Sequence, residues 1–241
     1  MSKKVYLLIL WIVTLAAIVV GIWINVGGWF GLNIFKSTKT VTEEFTYGKS
    51  GIDTIELSMD AGAVKILEGE EFKVEYTYPE AYAPKVNRNG DKLEITQKVN
   101  KINSNHDDDN YHLTVYVPSN VELKLLDADL DLGELRISNI NSKKLIADAD
   151  CGSVRLNDVT AEKISLVANL GEIRLEGCVS DYVKADADMG DVYLEGDFNS
   201  VEADCDMGNI DITTKKSTDD VKFDVDCDLG NVTVNGKHWK N

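Results

Sequence analysis

The sequence predicts an all-β fold: a single-sheeted-coil β-solenoid, or β-helix, with repeats of about 19 residues, preceded by one N-terminal transmembrane helix. Three observations predict it. One phrase, apolar–x–apolar–Asp–small–Asp–apolar–Gly–x–apolar–x–apolar, recurs six times between Leu126 and Val234, centred on Gly133, Gly152, Gly171, Gly190, Gly208 and Gly230. The glycines from Gly133 to Gly190 are evenly spaced; by the same step Gly208 comes one position early and Gly230 three positions late. A fixed period of this size marks a repeat architecture. Within each copy, apolar and polar residues alternate, the period of a strand with one buried face. Third, residues 5–26 (VYLLILWIVTLAAIVVGIWINV) form a continuous apolar run without a charge.

In chain order, residues 1–4 are expected to be a cytoplasmic tail carrying Lys3 and Lys4, and 5–26 a signal anchor. The run is long enough to cross a bilayer as a helix, and Trp23 near its end, with Trp29 and Phe30 just after it, suits the interface. It has neither the shorter apolar core and small-x-small site of a cleaved signal peptide nor a cysteine for lipidation. The expected location is the cell membrane, single-pass, N-terminus cytoplasmic and C-terminal domain extracytoplasmic. The lysine rule barely decides the orientation, because Lys36 and Lys39 flank the far side. Residues 27–50 are expected to form an interfacial segment and polar spacer. Residues 51–120 are strand-rich, and they hold a seventh, degenerate copy of the phrase around Gly62 (IELSMDAGAVKI). Asn89-Gly90-Asp91 is a hairpin signal. This region is expected to form N-terminal coils or a cap, because an open solenoid end exposes core and unpaired strand edge. Trp239 is expected to serve the other end. Residues 104–110 (SNHDDDN) lack the Gly and terminal Glu of an EF-hand and read as a solvated acidic loop.

Residues 121–241 are the repeats. Each is expected to be strand, glycine corner, strand, then a polar connection, the glycine supplying φ > 0 at the corner. An antiparallel meander is the alternative, with the glycine closing a hairpin. Two-residue hairpins favour Asn-Gly or Asp-Gly. Here the residue before the glycine is Leu132, Cys151, Leu170, Met189, Met207 or Leu229, which suits a core lining a corner. Stacked coils about 4.8 Å apart follow.

The passage VYVPSNVELKLLDADLDLGELRIS and the repeats after it resemble the putative-adhesin family of bacterial β-strand repeat domains, over roughly 51–234. The resemblance implies a β-helical domain, often behind one membrane anchor and sometimes linked to cell-envelope stress. No catalytic residues define the family, so none carry over.

Composition narrows the chemistry. The net charge is −16 and the sequence pI about 4.6, which repels nucleic acid. Four cysteines show no metal or haem spacing. Cys205 and Cys227 fall in one inward column on adjacent coils, within reach of a disulfide but read as buried free thiols, like Cys151. His106, His112 and His238 are scattered, and no Ser or Cys has a nucleophile's setting. Arg136, Arg155 and Arg174 share one outward column and are expected to balance part of the acidic charge.

The polar columns before the glycine are the candidate site. Asp129, Asp148, Asp186, Asp204 and Asp226 stand four residues before it; Asp131, Asp150, Asp188, Asp206 and Asp228 stand two before it. Val167 and Asn169 interrupt both columns at the third copy. Stacked carboxylates about 5 Å apart repel by roughly 1 kcal/mol in water and several-fold more at lower dielectric. Three readings follow: a solvated face whose charge prevents fibril stacking, a Ca²⁺-binding ladder, or a face for a basic or envelope-polymer partner. Two function classes remain. One is a non-enzymatic, membrane-anchored, adhesin-like or cell-envelope domain, with another membrane protein among its partners. The other is a polysaccharide-active β-helix enzyme, which needs long loops that such short coils hardly supply.

Overall fold

The computed structural model describes residues 39–99 and 111–239; the apolar run 5–26 and the acidic loop 104–110 lie outside the described residues. Residues 40–241 form one unit, and the description below concerns that unit. Among the described residues there is no α-helix, only strands and two 3-10 turns.

The repeats fold as stacked parallel coils. β8 (Glu122–Ser138) and β9 (Asn141–Asn157) each run unbroken through their glycine, pairing in parallel from Glu122↔Asn141 through Gly133↔Gly152 to Ser138↔Asn157. β10 (Thr160–Leu170), β11 (Ile173–Met189), β12 (Val192–Met207), β13 (Ile210–Thr214), β14 (Lys222–Leu229) and β15 (Val232–Val234) continue the stack in parallel register. The period of the sequence thus sets the register: each residue lies beside its counterpart in the next repeat.

Alternation places the core. Before the glycine, the inward positions are mostly alanine, as at Ala128, Ala147, Ala149, Ala168, Ala185 and Ala187; after it they are Leu, Ile and Val, as at Leu135, Val154, Ile173, Leu156 and Leu175. All are buried in one continuous core. Small side chains thus line one run and branched ones the other.

Each coil has two corners, and they are built differently. At the glycine corner the chains approach so closely that a Cβ on Gly152, Gly171, Gly190, Gly208 or Gly230 would overlap the carbonyl oxygen of the preceding coil's glycine. That overlap, rather than the expected φ > 0, is the common requirement. Gly133 (φ 134°), Gly171 (φ 157°), Gly190 (φ 152°) and Gly208 (φ 157°) have the expected positive φ, whereas Gly152 and Gly230 do not. Gly62 pairs with Gly133 and heads the column, and the buried Tyr78 hydroxyl occupies the place its Cβ would take. The opposite corner turns on left-handed residues at Asn139 (φ 57°), Asp158 (φ 52°) and Gly177 (φ 66°), which are spaced like the glycines of the first corner. These types tolerate that conformation. Length changes fall here: the shortened repeat drops a residue opposite the step from Leu175 to Cys178, and the lengthened one inserts the 3-10 turn Thr218–Asp220.

The N-terminal end is covered, as expected, whereas at the far end β14 (Lys222–Leu229) pairs on one side only, with β12. β2 (Thr54–Met59) and β3 (Gly62–Gly69) form a coil directly on β8. β6 (Lys92–Gln97) and β7 (His112–Pro118) stack on that coil in parallel, so the outermost coil comes later in the chain than the one it covers. β4 (Phe72–Pro79) adds antiparallel to β7, and β5 (Lys85–Asn89) to β6 through the Asn89-Gly90-Asp91 hairpin, with Gly90 at φ 66°. One expectation is corrected: within the predicted spacer, β1 (Thr40–Gly48) is a strand paired antiparallel with β4, its Phe45 partly buried against the core. The stretch TVTEEFTY is polar by composition, but an edge strand needs only one apolar face. At the far end β16 (Lys237–His238) turns back on β15, and Trp239 packs on Phe223 at 5.3 Å between ring centroids.

Candidate functional site

The site is the glycine corner with the columns on either side of it. Alternation fails there. Two successive residues point outward, so the column before the glycine is exposed: Leu132 38 %, Leu170 44 %, Met189 45 %, Met207 45 % and Leu229 67 %, with Cys151 exposed among them. The expectation that these residues line the core is therefore wrong. A chain turning a convex corner cannot direct that residue inward while the glycine behind it touches the coil below. Register makes the column continuous, Leu132↔Cys151↔Leu170↔Met189↔Met207↔Leu229. Apart from Val179, these are the large apolar side chains exposed on the described surface.

Beside this column run the predicted acidic ladders. The structure brings Asp129 beside Asp148, Asp186 beside Asp204, and Asp204 beside Asp226. The ladder residues two before the glycine, Asp131, Asp150, Asp188, Asp206 and Asp228, are exposed. Val167 and Asn169 stand where the ladders are interrupted, and Asn169 donates to Asp150 at 2.8 Å. Among the described residues no Lys or Arg lies within ion-pair distance of a ladder aspartate. Partial burial first, and neighbouring aspartates second, push the carboxyls of Asp129, Asp131, Asp148 and Asp204 above the usual range. Asp60 was missed by the sequence reading: it stands two residues before Gly62, and it raises Asp131 and Asp129. The degenerate copy around Gly62 carried the signal for it.

The arginines do not face these ladders. Across the glycine, Arg136 pairs with Glu134 at 2.7 Å. Arg155 lies between Glu134 (3.4 Å) and Glu172 (3.6 Å). Arg174 binds Glu172 at 2.8 Å and Glu176 at 3.3 Å, and stacks on Tyr193 at 4.3 Å from the ring centroid. The lattice continues through Asp191, which accepts from the Asn209 backbone N–H at 2.8 Å and the Tyr193 hydroxyl at 3.1 Å. Glu172 is held low by Arg174, and Asp191 by Asn209. The expected charge balance exists, but with the acids one residue after the glycine.

The cysteines do not form a reactive centre. Cys178, Cys205 and Cys227 are raised by burial, the first two to about 11, so they hold their protons at neutrality and pack as small apolar groups. Cys151 is exposed, against expectation. No three His, Cys, Asp or Glu side chains gather as a metal site among the described residues; the ladders are lines rather than clusters. A groove of about 430 Å³ follows the opposite corner past Asn141, Thr160, Asp181, Asp197 and Lys216. Two of its acids are engaged, Asp197 by Lys216 at 2.8 Å and Asp181 by Asn199 at 2.7 Å.

Solved structures share this architecture. A putative adhesin from Bacteroides fragilis superposes with a TM-score of 0.52 at 15% identity, covering 81% of this chain and 97% of that one. A putative cell adhesion protein from Clostridium sporogenes gives 0.52 at 16% identity, covering 81% and 99%. No curated protein matches the chain. The sequence pattern of the Toastrack DUF4097 family matches residues 52–238, the span that holds the glycine column and both flanking faces, and the chain belongs to that family.

Proposed function

We propose that this protein is a non-enzymatic binding domain, adhesin-like, held at the outer side of the cell membrane by residues 5–26 and presenting its glycine corner to a partner in the cell envelope. One observation carries the reading: a continuous exposed apolar column bordered by aspartates that no Lys or Arg among the described residues pairs. Both features cost free energy in an isolated domain. Stacked carboxylates repel, and monomeric soluble domains rarely expose long apolar patches. A surface that keeps both on a rigid scaffold is suited to recognition. The uncharged run 5–26 supports the anchor, and the net charge of −16 opposes contact with nucleic acid. The adhesin names of the structural neighbours agree with a binding role.

The test is fractionation with protease shaving. The chain is expected to stay with membranes through a high-salt wash, to leave in detergent, and to lose the strands of 40–239 to protease in intact, wall-stripped cells. A soluble chain, or one protected from protease until lysis, overturns the location.

A further inference from the structure

We infer that the glycine corner is a docking rail for a cationic amphipathic α-helix of about four turns. This rests on the reading of the corner as a binding face and names the partner's chemistry. The apolar column holds six residues in register, from Leu132 to Leu229. Five steps of about 4.8 Å make it roughly 24 Å long, the length of about sixteen helical residues at roughly 1.5 Å each. One ladder of aspartates borders it directly, while on its other side Glu134, Glu172 and Asp191 are already held by Arg136, Arg155, Arg174 and Asn209. A helix with one narrow apolar stripe and lysines or arginines along the side that meets the ladder matches both features.

The backbone excludes a strand as the occupant. At the corner the main-chain donors are already used between coils: Gly171 N–H donates to Met189 O at 3.0 Å, Gly190 to Met207 at 3.0 Å and Gly208 to Leu229 at 3.1 Å. A partner therefore binds through side chains, with its own backbone satisfied internally. Charge excludes two other occupants. An anionic bilayer surface and a second copy of this acidic chain would each set like charges along the ladder.

The probe is a fluorescent sixteen-residue Leu–Lys helix of this pattern, titrated by anisotropy against the full chain in phosphatidylcholine nanodiscs, with empty nanodiscs as blank. Saturable binding above the blank is expected, weakened severalfold by roughly 0.5 M NaCl. The triple variant Leu170→Ser, Met189→Ser, Met207→Ser should bind at least tenfold more weakly while keeping its circular-dichroism spectrum, since all three side chains are exposed. Asp188→Asn with Asp206→Asn should weaken binding and flatten the salt dependence. Equal binding by the triple variant overturns the rail, as does equal binding of a Leu–Glu helix or a signal no larger than the blank. Self-association in sedimentation that the triple variant abolishes also overturns it, assigning the column to a second copy. Shaving reports on location and this titration on the corner, so either reading can fail alone.

Discussion

The two faces that meet at the glycine corner both carry acidic residues and treat them in opposite ways. After the glycine, Glu134, Glu172 and Asp191 are tied to Arg136 and Arg174 within a coil and to Arg155 and Asn209 across coils. Before it, the aspartates from Asp129 to Asp228 have no Lys or Arg within ion-pair distance among the described residues. Both faces are stacked at the same spacing on the same coils, so stacking itself does not dictate the difference. What differs is whether the neighbouring outward column is basic or acidic. The first face is a self-neutralised lattice that stabilises the solenoid. The second leaves its charge to be answered from outside, and there the apolar column is exposed.

The corner between the faces is the most sensitive place to break them apart. Gly171→Ala puts a Cβ into the Gly152 carbonyl oxygen, backbone that cannot step aside. We expect a loss of about 2 to 4 kcal/mol in denaturant unfolding, at the upper end of overpacking effects. Met189→Ala, one column away and exposed, should cost under about 0.5 kcal/mol. Similar costs at both positions would show that the glycine column is not in contact.

The next comparison is one of sign. Arg174→Ala removes two ion pairs and a stacked ring, and should destabilise the domain by about 1 kcal/mol in low salt. Asp188→Asn with Asp206→Asn should stabilise it by about 0.5 kcal/mol under the same conditions. Both effects should shrink in roughly 1 M NaCl, where screening acts within about 3 Å. Changes of the same sign would mean the two faces are not electrostatically distinct.

Acid separates them again. Carboxyls raised in the folded state, at Asp129, Asp131, Asp148 and Asp204, bind protons more readily there than in the unfolded chain, so stability rises as pH falls through their folded values. Carboxyls held low, at Glu172 and Asp191, contribute stability above the ordinary range that is lost as pH falls through their folded values. The melting temperature should therefore climb as pH drops from neutrality towards about 4, then fall below it. In the Asp129→Asn, Asp148→Asn, Asp204→Asn variant the climb should flatten while the fall remains.

The smallest effect expected concerns divalent ions. Because the ladder acids form lines rather than clusters, Ca²⁺ and Mg²⁺ at equal ionic strength should raise the melting temperature equally, by screening. An excess for Ca²⁺ that Asp188→Asn with Asp206→Asn removes would instead mark bridging by calcium.

By itself the sequence determined the stack. A constant short period can return each side chain to its counterpart only in coils, and alternation named the inward columns before and after each glycine, from Ala128 to Val234. The degenerate copy at Gly62 and the Asn89-Gly90-Asp91 hairpin were legible for the same reason: each is a local pattern with a local cause. Asn139, Asp158 and Gly177 also repeat with the period of the glycines, so the second corner was written in the chain, though scattered residue types hid it. Tertiary structure alone decided the rest. Alternation assigns a face only while the chain stays extended, so the apolar residues from Leu132 to Leu229 passed for core until the corner turned them outward. The partners of Arg155, and the stacking of Arg174 on Tyr193, depend on which outward columns adjoin across coils. The strands β6 and β7 stack outside β2 and β3 because an exposed edge must be paired by whatever chain can reach it, and chain order does not say which segment that is.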